Sequence, residues 1–183
     1  MANVRVTPEE FVLVHFEHGE VLDVATRVVE RVGIDPSREV VVAVNETTPL
    51  QRVVVTSLDP VTIDIESGAL EDPRKPRRLS VEIAESSLSK VLFRVRDRLD
   101  GSFADAPPDN KLTNAQRSAW NVYAVGRCAR AGFAVQQQRQ RYAFRNRHQF
   151  SDSADAVFDA LWSAESLTWA EVQAMTAPVA NDL

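Results

Sequence analysis

The chain has 183 residues, 44% of them hydrophobic and 26% charged, with a net charge of −5. That is the composition of a globular protein long enough to bury one sizeable core, and it argues against disorder. The longest apolar runs, residues 11–16 and 40–44, fall far short of the roughly 20 needed to span a bilayer, and the single Cys128 excludes both an intramolecular disulfide and a thiolate metal cluster within one chain. Residues 1–10 show no basic stretch followed by an apolar core, so no secretory leader is expected and the chain reads as soluble and cytoplasmic.

In chain order, residues 11–16 are apolar on both faces and predict a central strand. Residues 19–32 follow as a helix with Val21, Val24, Ala25, Val28 and Val32 at spacings of three and four. Gly33 suits a left-handed stop and Pro36 bars continuation. Residues 40–44 form a second buried strand, so a β-α-β unit with parallel strands is expected. Residues 52–57 and 61–66 read as an antiparallel hairpin turning at Asp59-Pro60. In its second strand Val61, Ile63 and Ile65 face one way, and Thr62, Asp64 and Glu66 the other, which gives the sheet one wet face.

Residues 67–77 read as a polar loop and residues 79–83 as a further alternating strand. A helix is expected from Ser86 or Ser87 to Leu99, then a loop over residues 100–112. Thr113 and Gln116 match a capping box that opens a helix ending near Ala131, with Gly132 as its stop. Residues 141–147 fit a late strand or a loop. Asp152 or Ser153 can cap a helix holding Val157, Leu161 and Trp162, and Thr168 with Glu171 makes a second capping box. The fold class is therefore α+β, a single domain over residues 1–183. Its mixed sheet lies in the N-terminal half, with a β-α-β unit plus antiparallel strands, and helices from the C-terminal half cover it.

Charge is segregated. Residues 1–72 carry a net −9, residues 73–150 a net +10 and residues 151–183 a net −6. Oppositely charged segments that pack together explain this, and so does a basic surface for an anionic partner. Only three of the 21 basic residues are lysine. Arginine binds carboxylates and phosphates through a planar fork.

Three clusters carry candidate chemistry. The first is His15, Glu17, His18 and Glu20, which would lie at the carboxyl end of the first strand, with Asn45 and Glu46 at the carboxyl end of its neighbour. Open α/β sheets bind ligands at this rim. His15, Glu17, His18 and Glu46 are candidates for acid–base catalysis, and His15, His18 and Glu20 for a divalent metal. A purely structural role accounts for them too: a core His15 on a face with Phe11 and Leu13, and carboxylates in a first helical turn.

The second cluster is the Arg-rich segment, with Arg139, Arg141, Arg145 and Arg147 as anion-binding candidates beside Tyr142 and Phe144, a pattern that suits phosphates and stacked bases. On a strand these arginines would separate from the aromatics, leaving them to pair with the acidic segments. The overall acidic charge also weighs against nucleic acid. The third cluster, Arg74, Lys75, Arg77 and Arg78, lies in the polar loop. No phosphate-loop, HExxH or nucleophile-elbow motif is present, and the sequence names no cofactor, substrate or small-molecule ligand. The first expectation is a binding or interaction protein that self-associates, with a homodimer as one form. A small rim enzyme and a nucleic-acid binder are the alternatives, and the sequence does not settle whether the protein is an enzyme.

Overall fold

The computed structural model describes residues 2–176. Among them the fold is α+β, in the order β1 (Asn3–Thr7), α1 (His18–Val32), β2 (Glu39–Asn45), β3 (Val53–Leu58), β4 (Val61–Glu66), β5 (Glu71–Asp72), β6 (Lys75–Leu79), α2 (Val81–Leu99), α3 (Asn114–Arg130), α4 (Gln137–His148), α5 (Asp152–Ser163) and α6 (Trp169–Thr176). No helix among the described residues is long and apolar enough to cross a membrane. The residues form two compact units: one holds residues up to 96 with 131–134, the other residues 97–130 and those from 135 onward.

The first unit is built on a four-stranded sheet of order β1-β2-β4-β3. Strands β1, β2 and β4 run parallel, and β3 is antiparallel to β4. Val40, Val42 and Val44 of β2 align with Val61, Ile63 and Ile65 of β4 on one buried face. The six positions are β-branched, which suits a pleated, packed surface. The expected wet face is present, with Asp64 exposed between Thr62 and Glu66. Helix α1 buries Val21, Val24, Ala25, Val28, Val29 and Val32, and Gly33 ends it at φ 79°, its N–H reaching the carbonyls of Val29 and Glu30. Arg96 of α2 donates to the Val32 carbonyl at 2.8 Å, which satisfies a C-terminal acceptor of α1.

The β-α-β unit exists, but its first strand is β1, not residues 11–16. Those residues add one isolated bridge, His15 to Arg78, and only Val14 and Phe16 of them are buried. Strand β1 is an edge strand with Asn3, Arg5 and Thr7 on its outer face, so it carries less apolar signal than the segment that follows. Residues 79–83 are not a strand. β6 ends at Leu79, and Ser80 caps α2, its hydroxyl accepting from the Ile83 N–H and its carbonyl from the Ala84 N–H.

The second unit has its own aromatic core. Phe103 stacks on Trp120 at 4.6 Å between centroids, and Phe144, Phe158, Leu161, Trp169 and Val172 complete the core around α3 to α6. Both capping boxes form: Gln116 N–H donates to the Thr113 hydroxyl while the Thr113 N–H donates to Gln116 Oε1, and Thr168 and Glu171 repeat the exchange. Ser151, one residue before the two expected candidates, caps α5. At Gly126 the α5 backbone comes so close that a Cβ would sit 2.3 Å from the Trp162 carbonyl oxygen. Arg130, one turn on, donates to the carbonyls of Trp162 and Ala164 at 2.5 Å and caps that helix end.

Residues 141–147 are helix α4, neither strand nor loop. Phe144 is its one fully buried side chain, Arg141 and His148 sit one turn either side of it, and Arg145 follows Arg141 by one turn.

Candidate functional site

The carboxyl rim of the sheet does collect His15, Glu17, His18 and Glu46, but each of them has a structural task or faces open water. One carboxylate oxygen of Glu46 accepts three consecutive backbone N–H groups, from Val12 at 2.8 Å, Leu13 at 2.7 Å and Val14 at 3.2 Å. This anchors the loop that joins β1 to α1 and leaves Val12 and Leu13 exposed on its outside. His18 Nε2 meets the Val6 carbonyl at 3.2 Å, which sets the N–H on that nitrogen. His15 is exposed rather than in the core, because Val14 and Phe16 take the inward positions. Glu17 and Glu20 are exposed, and Glu17 occupies the N-cap position of α1 without a side-chain capping bond. No hydrogen bond joins any two of these side chains, and among the described residues no group of three His, Cys, Asp or Glu is arranged to hold a metal ion.

The loop's backbone touches a second feature. The His15 N–H donates to the Arg77 carbonyl at 2.7 Å, joining the rim to the β5–β6 hairpin. Arg77 adopts a left-handed conformation, φ 62°, which costs a residue with a Cβ about 1–2 kcal/mol. Two bonds hold it there: its own N–H donates to Glu71 Oε2 at 2.9 Å, and its carbonyl takes the His15 N–H. Arg74, Lys75, Arg77 and Arg78 are all exposed, and none of their side chains makes a hydrogen bond or ion pair within the described residues. This third sequence cluster, the least specific of the three on sequence grounds, is the one whose cations stay unpaired.

In the Arg-rich segment, Arg145 forms a two-point pair with Asp155, at 2.8 and 2.5 Å, and Arg141 reaches both Asp155 and Asp159. These bonds hold the Asp155 carboxyl below its ordinary range and push both guanidinium groups up. Arg141 also lies over the Phe158 ring at 4.4 Å. Only Arg139 and Arg147 of the four candidates face water without an ion pair. The packing of α4 on α5 therefore uses half of the expected anion site.

Two further features escaped the sequence. Asp97 and Arg127, 1% and 5% exposed, form a buried two-point pair at 2.5 and 2.6 Å, and the Trp120 Nε1–H donates to Asp97 at 2.7 Å. Burial pushes the Asp97 carboxyl above its ordinary value against the pull of Arg127. No spacing rule links residues 97 and 127. The other is an open cleft of about 270 Å³ on the wet face of the sheet, lined among others by Ala43 and Asn45 of β2, Asp64 and Glu66 of β4, Val54 and Thr56 of β3, and Arg52. The alternation of β4 shows that such a face exists, but not that it is concave. Comparison with family models, with curated proteins and with solved structures found no match to the chain.

Proposed function

We propose that this chain is a non-catalytic interaction protein of the cytoplasm that self-associates through complementary charge on its first unit. The observation that carries the reading is a pair of unpaired, opposite surfaces. Arg74, Lys75, Arg77 and Arg78 project from the β5–β6 hairpin, and Glu17, Glu20 and Asp23 project from the start of α1, all exposed and none in an ion pair. Exposed charges of one sign steer an oppositely charged partner and set its register. A second copy supplies the complement of both surfaces at once. The two-bond restraint on a left-handed Arg77 supports the same reading, since a conformation that costs energy is kept where a fixed shape is used. The lone Cys128, buried in α3, fits a reducing compartment.

Sedimentation of the full chain tests this at about 50 mM and about 500 mM salt, between which the Debye length falls from about 14 to about 4 Å. An oligomer at the lower salt that dissociates at the higher is expected. The triple reversal Arg74→Glu, Lys75→Glu, Arg78→Glu and the double reversal Glu20→Lys, Asp23→Lys should each be monomeric, and their mixture should associate. A monomeric parent at the lower salt, or reversals that leave the oligomer intact, defeats the proposal.

A further inference from the structure

We propose that the cleft on the wet face of the first unit's sheet binds a small zwitterion, a molecule with a carboxylate and an ammonium a few atoms apart, the class to which free α-amino acids belong. Its place suits a ligand. Asn45 and Glu66 end β2 and β4, and Arg52 enters β3 from the same side, so the cleft opens at the carboxyl ends of the parallel strands. Ala43 and Val54 flank Asp64 in register, so small apolar side chains stand on either side of the carboxylate.

Hydrogen-bond accounting then separates the groups already used from those on offer. Glu66 takes the Thr48 hydroxyl. Asn45 Oδ1 takes the Thr47 N–H at 3.0 Å and the Thr47 hydroxyl at 2.7 Å, so the side chain turns its amide N–H donors outward to bond. Thr56 gives its proton to the Thr62 carbonyl at 3.4 Å and keeps its lone pairs. The Arg52 guanidinium and the Asp64 carboxylate, both exposed, make no hydrogen bond or ion pair within the described residues. Opposite charges thus line one cleft without pairing with each other.

Register places the two groups on one face. Asp64 lies opposite Val54, and the Glu66 N–H donates to the Arg52 carbonyl at 2.9 Å, so Arg52 and Asp64 are diagonal neighbours on one face. Diagonal cross-strand neighbours lie about 7–8 Å apart. An α-amino acid spans about 2.5 Å from ammonium nitrogen to carboxyl carbon, and the long, flexible Arg52 side chain lets its guanidinium adjust to the carboxylate of such a ligand while Asp64 takes the ammonium. A simple anion on Arg52 would meet Asp64 and Glu66, and a simple cation on Asp64 would meet Arg52. Only a ligand with both charges is attracted at both ends. The cleft, at about 270 Å³, lies just under the range of pockets for drug-sized ligands, about 300–1,000 Å³, and accepts a molecule of amino-acid size.

Backbone amide NMR of the full chain tests this, with glycine and L-serine as probes and with glycolate, which lacks the ammonium, and ethanolamine, which lacks the carboxylate, as controls. Saturable shifts at Asn45, Val54 and Asp64 are expected with glycine or serine, and binding of each control should be at least about tenfold weaker. Arg52→Gln and Asp64→Asn should each remove the zwitterion response while the remaining spectrum stays that of the folded parent. Absence of a saturable shift with both probes, a control that binds as well as they do, or undiminished binding by either variant overturns the proposal.

Discussion

Replacing Asp97 by asparagine keeps the shape of a side chain that is 1% exposed and removes its charge. Arg127, 5% exposed, would then lose the carboxylate that its guanidinium meets at 2.5 and 2.6 Å, and the Trp120 N–H would lose an ionised acceptor. Breaking one side of a buried pair costs about 3–5 kcal/mol, because the remaining charge stays desolvated. Domains are commonly stable by only about 5–15 kcal/mol, so the loss is a large share of the total. Arg127→Met should behave differently with pH. It leaves a carboxyl that burial already pushes above the ordinary value of 3.8, and that group can discard its charge by taking a proton, so the variant recovers stability in acid while Asp97→Asn does not. Combining Asp97→Leu with Arg127→Met removes both charges together and should cost less than Asp97→Asn or Arg127→Met alone. Urea unfolding followed by tryptophan fluorescence reads this directly, since Trp120, Trp162 and Trp169 all belong to the second unit. A cost for Asp97→Asn below about 1 kcal/mol, the value of an exposed pair, would refute the reasoning.

Burial lowers the pKa of His148, against an opposing bond to the Ala115 backbone, so the unfolded chain binds an extra proton between the ordinary value of 6.5 and the lower folded one. The urea midpoint should fall as pH drops through that window, and His148→Gln should flatten the dependence; an unchanged slope in the variant counts against the assignment. Gly126→Ala places a Cβ 2.3 Å from the Trp162 carbonyl oxygen and should cost about 1–3 kcal/mol through forced separation of α3 and α5, with a thermal shift as the readout and a neutral result as the refutation. Glu46→Ala strips the acceptor from three N–H groups. Hydrogen exchange of the Val12, Leu13 and Val14 amides should quicken by about tenfold or more while the α1 amides keep their protection, since bonds to a charged group are worth about 1.5–3 kcal/mol.

The elements legible in the sequence are those whose signal is local. Helix α1 shows its stripe and its Gly33 stop, β4 shows its alternation, and both capping boxes lie within four residues and form as read. The misread elements are those whose periodicity serves another end. Residues 11–16 look like a core strand because Val14 and Phe16 do plug the rim, yet Val12 is 80% exposed, and its apolar character serves no packing within the described residues. Leu79, Val81 and Ile83 alternate across a boundary, where a strand ends and a helix capped by Ser80 begins. Helix α4 has one buried apolar side chain, so no hydrophobic stripe exists to find. Its ordered face is made of Arg141 and Arg145, whose partners come ten and eighteen residues later.

Which cations stay available at the surface was hidden from the sequence for a related reason. A count of charge along the chain treats every arginine of residues 73–150 as available, whereas availability is decided by partners that sequence distance hides. Arg96 is spent on the Val32 carbonyl, Arg98 on the carbonyls of Ala106 and Pro107 and on Asp109, Arg127 on Asp97, Arg130 on the end of α5, and Arg141 and Arg145 on Asp155 and Asp159. These six guanidinium groups satisfy helix ends and desolvated or half-buried carboxylates, tasks that the planar fork performs well. What they leave includes Arg139 and Arg147, which face water, and a hairpin too short to bury its own cations, held in shape by Glu71 and by the His15 N–H, with the acidic face of α1 on the same unit. Segregated charge in this chain thus has two fates: Arg127, Arg130, Arg141 and Arg145 of the second unit are bound within it, while the hairpin cations of the first unit, like Arg139 and Arg147 of the second, stay at the surface.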